Sequence, residues 1–177
     1  AMIRRRWALA ALAFAAIAAT PAASCQPLDV RGEFVAPRVL PQNAEIRWVI
    51  DGDTVDVLIN GTSERVRLLG IDTPETKKPN EPIECFGPQA SEYTTALLPP
   101  GTAVYLERDI VGRDDYGRLL AYVYRATDGL FVNLDLVRGG YALPLPFRPN
   151  DAHAADFAAA ARDAQAARVG WWGACAG

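Results

Sequence analysis

The chain has 177 residues, half of them hydrophobic, with 18 Lys and Arg, 21 Asp and Glu and a formal net charge of −3. That length allows one domain with a real core, without the staples a miniature fold needs. The acidic balance argues against a protein that grips nucleic acid across a broad basic face, and the single histidine excludes a histidine-built metal cluster.

Residues 1–24 stand apart from the rest. Arg4-Arg5-Arg6 precede an uncharged run at 7–19, followed by Thr20-Pro21-Ala22-Ala23-Ser24. A basic start, a short apolar middle and a small-residue exit read as a signal peptide, since a membrane-spanning helix needs roughly 20 apolar residues. The expected product is exported, either periplasmic or extracellular. Removing the segment takes three arginines and no acids, which leaves 15 basic against 21 acidic residues and a net charge of −6. Phosphate binding must then be local, carried by a few placed arginines with or without a metal.

Export permits a disulfide, and Cys25, Cys85 and Cys175 make an odd number. Ala22-Ala23-Ser24-Cys25 resembles a bacterial lipoprotein processing box, with Ala22 where leucine is usual. Cys25 is therefore a lipidation candidate, which would anchor the chain to the envelope membrane. If Cys25 is lipidated, Cys85 and Cys175 are left as a pair stapling a mid-chain loop to the C-terminus. Plain secretion with three unassigned thiols is the alternative.

Residues 25–44 carry three prolines and no sustained period, and read as an N-terminal tether or arm. A domain is expected over 45–173, with a short tail at 174–177. A first strand leads into Asp51-Gly52-Asp53, and alternating Val55, Val57 and Ile59 mark a half-buried second strand. Asn60-Gly61 is a strong hairpin signal, because both residues tolerate positive φ. The return strand runs through 64–69 into Arg67-Leu68-Leu69-Gly70-Ile71-Asp72-Thr73-Pro74-Glu75. The polar stretch 76–84 is expected to be a mobile loop beside whatever that motif binds.

Pro88 opens a helix to Leu98 with Ala90, Tyr93 and Leu97 on one face. Strands follow at 103–107 and 119–124, separated by the charged loop Arg113-Asp114-Asp115-Tyr116-Gly117-Arg118. Asn133 is expected to cap a short helix ending at Gly139-Gly140. Residues 141–147 look irregular, and Asn150 or Asp151 is expected to open an alanine-rich helix to about Arg168, with Phe157, Ala160, Ala161 and Ala164 on its apolar side. His153 reads as solvated or capping, and Trp171 and Trp172 as packing for the C-terminus. Five short strands with three helices give an α+β, β-rich class and suit a five-stranded OB-fold barrel packed with three helices, although periodicity does not itself show closure.

The chemistry concentrates at the end of the return strand. Carboxylates on a loop past a rigid strand can hold a hard cation, and Arg67 offers a planar fork to an anion. Taken singly, Asp51-Gly52-Asp53 is a turn and Asp72 to Glu75 a helix capping box. Their combination with two arginines is what suggests phosphate chemistry.

Five blocks carry a resemblance to the staphylococcal nuclease (thermonuclease) family. They are Val49-Ile50-Asp51-Gly52-Asp53-Thr54-Val55, the Arg67 to Glu75 motif, Phe86-Gly87-Pro88-Gln89-Ala90-Ser91, Asp115-Tyr116-Gly117-Arg118-Leu119-Leu120-Ala121-Tyr122, and Val132-Asn133 with Leu136-Val137-Arg138-Gly139-Gly140. The resemblance implies an OB barrel and Ca2+-dependent hydrolysis of phosphodiester bonds in DNA and RNA, with little base preference and 3′-phosphate ends. It assigns Asp53, Asp72 and the Thr73 carbonyl to the metal, Glu75 to the attacking water, Arg67 and Arg118 to the phosphate, and Tyr116 to the bound nucleotide. The enzyme is expected to act as a monomer. The family's best-known member has lysine where Asp115 stands, and Leu145-Pro146-Phe147 stand where it has pocket tyrosines. The alternative reading is a non-catalytic OB module binding nucleic acid or a protein partner; a lipid-anchored structural protein ranks below both.

Overall fold

The computed structural model describes residues 38–76 and 82–176. The expected signal peptide at 1–24, residues 25–37 of the expected tether with Cys25, and residues 77–81 of the expected mobile loop lie outside the described residues. Where the tether was expected to end, the chain is already bound to the domain: Leu40 N–H donates to the Ala126 carbonyl, and the Asn43 amide exchanges hydrogen bonds with the backbone of Leu106.

Strands β1 (Ala44–Asp51), β2 (Thr54–Ile59) and β3 (Thr62–Leu68) form an antiparallel meander. Asn60 at φ 50° and Gly61 at φ 80° make the tight turn between β2 and β3, as the dipeptide implies. A two-residue strand β4 (Ile71–Asp72) and helix α1 (Gly87–Leu97) follow, then β5 (Ala103–Glu107) and β6 (Leu119–Arg125). β6 pairs in parallel with β3 and antiparallel with β5, and β5 returns to β1, closing a barrel in the order β1-β2-β3-β6-β5. Closure leaves no free sheet edge. The observed fold is thus the β-rich five-stranded OB-type barrel with helices.

The barrel interior is filled by the inward side of each strand: Ile46, Val55, Val57, Val66, Leu68, Val104 and Val123 are all at most 1 % exposed. Each such aliphatic side chain contributes about 1.5–3 kcal/mol by leaving water, so the alternation of Val55 and Val57 in β2 specifies which face turns in, while β6 is buried on both faces from Leu119 to Val123.

Helix α1 starts at Gly87-Pro88 as expected, whereas the two later helices differ from expectation in how they start. α2 (Val132–Arg138) has Phe131 at its N-cap, so Asn133 is not the cap. Fully buried, Asn133 accepts from Val123 N–H and donates to the Leu69 carbonyl, tying the helix to β6 and to the end of β3. α3 (Ala154–Ala167) begins three residues after Asp151. Asn150 instead pairs with both backbone groups of Val111. His153 stands at the N-cap of α3 as expected but makes no side-chain cap bond; partly buried, its ring meets Tyr122 edge-on at 4.5 Å and packs on Phe131. The apolar side of α3 is as the spacing implies, with Phe157, Ala160, Ala161 and Ala164 buried. In α1, Ala90 and Thr94 are the fully buried positions, with Tyr93 and Leu97 packed at the margin.

The stretch expected to be irregular supplies β7 (Leu143–Pro144), which pairs with β4 through Asp72 and Leu143. A short helix α4 (Trp171–Ala174) ends the fold, with Trp171 and Trp172 edge to face. Cys85 and Cys175 form a disulfide. Among the described residues, no helix is long and apolar enough to cross a membrane.

Candidate functional site

Three features of the backbone build one cleft. The β1–β2 turn packs Gly52 so closely on Thr73 that a Cβ there would lie 2.6 Å from the Thr73 hydroxyl. The Thr94 hydroxyl, 2.7 Å from the Gly52 carbonyl, fastens the same turn to α1. At the end of β3, Gly70 turns at φ 76° against the Phe157 ring, where an added Cβ would lie 2.4 Å from a ring carbon. Only glycine meets both demands. The turn delivers β4, and with it Asp72 and Thr73, to the side of Asp53.

The result is an open cleft of about 1010 Å³ against the outer faces of β2 and β3. Asp53, Arg67, Asp72, Thr73, Glu75, Tyr116 and Arg118, the residues singled out from the sequence, all line it. Arg67 sits between the two aspartates: its Nη2 lies 3.0 Å from Asp53 Oδ2 and 2.8 Å from Asp72 Oδ1. Its Nη1 donates to the carbonyls of Leu68 and Ile71 at 2.7 Å each. Asp53 is nearly buried, and accepts from the Thr54 hydroxyl and from Thr73 N–H. Partial burial pushes the Asp72 carboxyl above its ordinary value; Arg67 opposes this and the charges of Asp53, Glu84 and Glu75 add to it. Because 58 % of the Asp72 side-chain surface is still exposed, water screens much of that repulsion.

Several supporting residues were not singled out from the sequence. Asp114 accepts from the backbone N–H groups of Tyr116 and Arg118 and pairs with Arg118 Nε at 2.6 Å, so it aims the arginine into the cleft. Asp51 accepts from the Thr76 hydroxyl and so holds the chain just past Glu75. Glu84 grips Glu75 twice, its carboxylate accepting Glu75 N–H at 3.1 Å and its own N–H donating to the Glu75 carbonyl at 3.0 Å. The following residue, Cys85, is tied to the C-terminus. Only the polar, turn-forming character of these stretches signalled them; the pairings need the fold.

Among the described residues the cleft is lined by six carboxylates, from Asp51, Asp53, Asp56, Asp72, Glu75 and Glu84, against the three guanidiniums of Arg65, Arg67 and Arg118. A phosphate diester is an anion, so this excess opposes it unless a cation is bound as well. Hard divalent ions take oxygen ligands, and Asp53 and Asp72, with Arg67 Nη2 between them, are the carboxylates that could hold one, Thr73 being the next residue along the cleft. Among the described residues, no three His, Cys, Asp or Glu side chains converge as a metal cluster by themselves, so a backbone carbonyl or water would have to complete the shell.

A closed OB-type barrel thus carries on one side a cleft lined by acidic oxygen donors and by the arginines Arg67 and Arg118. Residues 65–174 match the model of the staphylococcal nuclease homologue family. The chain is 40 % identical over 144 residues to a thermonuclease of Staphylococcus intermedius, spanning 81 % of this chain and 79 % of that one. It is 37 % identical over 131 residues to a thermonuclease of Staphylococcus hyicus, spanning 74 % and 76 %. With endonuclease YncB of Bacillus subtilis (strain 168) it shares 39 % over 132 residues, 73 % of this chain and 61 % of that one. The chain belongs to the staphylococcal nuclease homologue family.

Proposed function

We propose that the protein is a metal-dependent endonuclease that hydrolyses phosphodiester bonds of DNA and RNA, with Ca2+ as its ion and 3′-phosphate ends as its product. The observation that carries this reading is the cleft itself, where two clamping arginines and an oxygen-donor set share one floor. Arg118, its Nε held by Asp114, turns its terminal nitrogens to the phosphate oxygens and stabilises the charge that shifts there during attack; Arg67, whose terminal nitrogens serve Asp53, Asp72 and the carbonyls of Leu68 and Ile71, joins it once Nη2 is released from the two aspartates. Glu75 takes the proton of the attacking water, and its position is set by Glu84 on one side and by the Asp51–Thr76 contact on the other. Asp53, Asp72 and the Thr73 carbonyl would hold a divalent ion, which would supply Lewis-acid charge. The bond to the 5′ oxygen breaks, leaving a 3′-phosphate and a 5′-hydroxyl. Tyr116, 86 % exposed with Arg118 5.4 Å from its ring, is placed to lie against a nucleotide.

Export is part of the proposal, supported by the Cys85–Cys175 bond, which suits an oxidising compartment. The same holds for lipid attachment at Cys25, which palmitate labelling abolished by Cys25→Ser would establish. The activity is tested by incubating the protein without its signal segment with plasmid and with denatured DNA, first with calcium and then with chelator. Cleavage of both that stops on chelation is expected. No calcium-dependent cleavage at micromolar enzyme overturns the reading.

A further inference from the structure

β1 carries two register shifts against β2, one between Ile46 and Trp48 and one between Val49 and Asp51. Each inserts one extra residue, Arg47 and Ile50 respectively. An extra residue bends a strand and re-aims its side chain. On a regular strand Arg47 and Trp48 would point to opposite faces; here the Arg47 guanidinium lies 4.0 Å from the centre of the Trp48 ring. Arg47 also donates to the Ser63 hydroxyl, which lines the cleft.

Trp48, Asp56 and Arg65 stand opposite one another across β1, β2 and β3. The indole N–H donates to Asp56 Oδ2 at 3.0 Å, and Arg65 grips both Asp56 oxygens. The carboxylate is thereby consumed inside the rung, while Trp48 stays 44 % exposed and the Arg65 side chain 51 % exposed. Two guanidiniums against one carboxylate make this rung positive beside an acidic cleft floor. The next rung on the same face is Asp51, Thr54 and Arg67. It lies two residues away, roughly 7 Å along the strands, on the scale of one nucleotide step in an extended strand.

We propose that the Trp48–Arg47–Arg65 rung is a subsite for the nucleotide next to the scissile phosphate in single-stranded nucleic acid. Trp48 supplies an apolar platform for the base and the two arginines face the backbone phosphate. This mode is tolerant of sequence, because every base has a π-face. The inference rests on the nuclease reading and extends the same cleft. It also explains how an acidic protein draws a polyanion: the attraction is concentrated on this rim.

The test compares a short oligothymidylate with a nitrophenyl ester of thymidine 3′-phosphate, which carries no neighbouring nucleotide. Trp48→Ala is expected to raise KM for the oligothymidylate about tenfold with kcat held, so that the ratio of the two kcat/KM values falls about tenfold. Trp48→Phe should recover most of the ratio. Arg47→Ala should lower it too and flatten the salt dependence of oligothymidylate binding. An unchanged ratio, or an equal loss on both substrates, in variants with the wild-type circular dichroism spectrum overturns the subsite and leaves the nuclease reading intact. A wild-type protein that cleaves neither substrate overturns both.

Discussion

Arg67 Nη2 lies 3.0 Å from Asp53 Oδ2, at the floor of the cleft, and both side chains are largely shielded from water. The same nitrogen reaches Asp72, while the other terminal nitrogen closes the backbone around Gly70. Arg67 therefore fixes both aspartates and the backbone between them. Arg67→Lys keeps the charge and loses the fork, since an ammonium cannot span two carboxylates and two carbonyls in one plane. The expected loss is about 10²- to 10³-fold in kcat, with the fold retained by circular dichroism. Steady-state kinetics on denatured DNA at saturating calcium measures it.

Cys85 and Cys175 close a loop of sequence separation 90. Opening it by Cys175→Ser is expected to cost about 2–5 kcal/mol of stability, read by chemical denaturation. Because Cys85 follows Glu84, which holds the backbone of Glu75, loss of the bond should also lower kcat several-fold below the unfolding temperature. Glu84→Gln separates the two effects: it keeps the disulfide and one backbone bond while weakening the acceptor. It should reduce kcat with little change in melting temperature.

Asn133 connects three elements from a fully buried position. Asn133→Leu is close in volume but leaves Val123 N–H and the Leu69 carbonyl without their partner, and each orphaned buried group costs about 1–3 kcal/mol. The expected result is a destabilised protein with lower activity, because Leu69 immediately precedes the Gly70 turn that delivers Asp72. Urea denaturation and activity at equal folded fraction check the two parts.

Legibility followed range. The Asn60-Gly61 turn, the alternation of Val55 and Val57 and the apolar side of α3 are local patterns, and the structure repeats them. Asn133 and Asn150 misled because a polar residue before an apolar run is a good cap locally; their partners lie 64 and 39 residues away. The β4–β7 pair was invisible for the same reason, being two residues long and built partly from proline. In the cleft, the motif blocks pointed to residues that the fold gathers around one space. Of the residues that aim them, Asp51 lies in a motif block but reads there as a turn residue, and Glu84 and Asp114 carry no pattern of their own. The bulges of β1 leave no trace in composition, so Arg47 and Trp48 looked like ordinary strand residues.

The Asp56 carboxyl is held below its ordinary value, first by the hydrogen bond from Arg65, against the cost of burial, with further help from the Arg65 charge, Trp48 and Arg47. A group whose folded value is depressed stabilises the fold above its unfolded value, near 3.8, and loses that contribution as pH falls through the lower folded value. Asp56→Asn should therefore cost about 1–2 kcal/mol at pH 7, a modest figure because the Arg65 side chain is half in water. The deficit should shrink progressively below pH 4, as wild-type Asp56 takes up its proton and the pair is lost in both proteins. Urea denaturation of both proteins from pH 7 downward measures the convergence. A deficit that stays constant through the acid range would assign the effect of Asp56 to packing, and Trp48 would then keep its position without the charge beneath it.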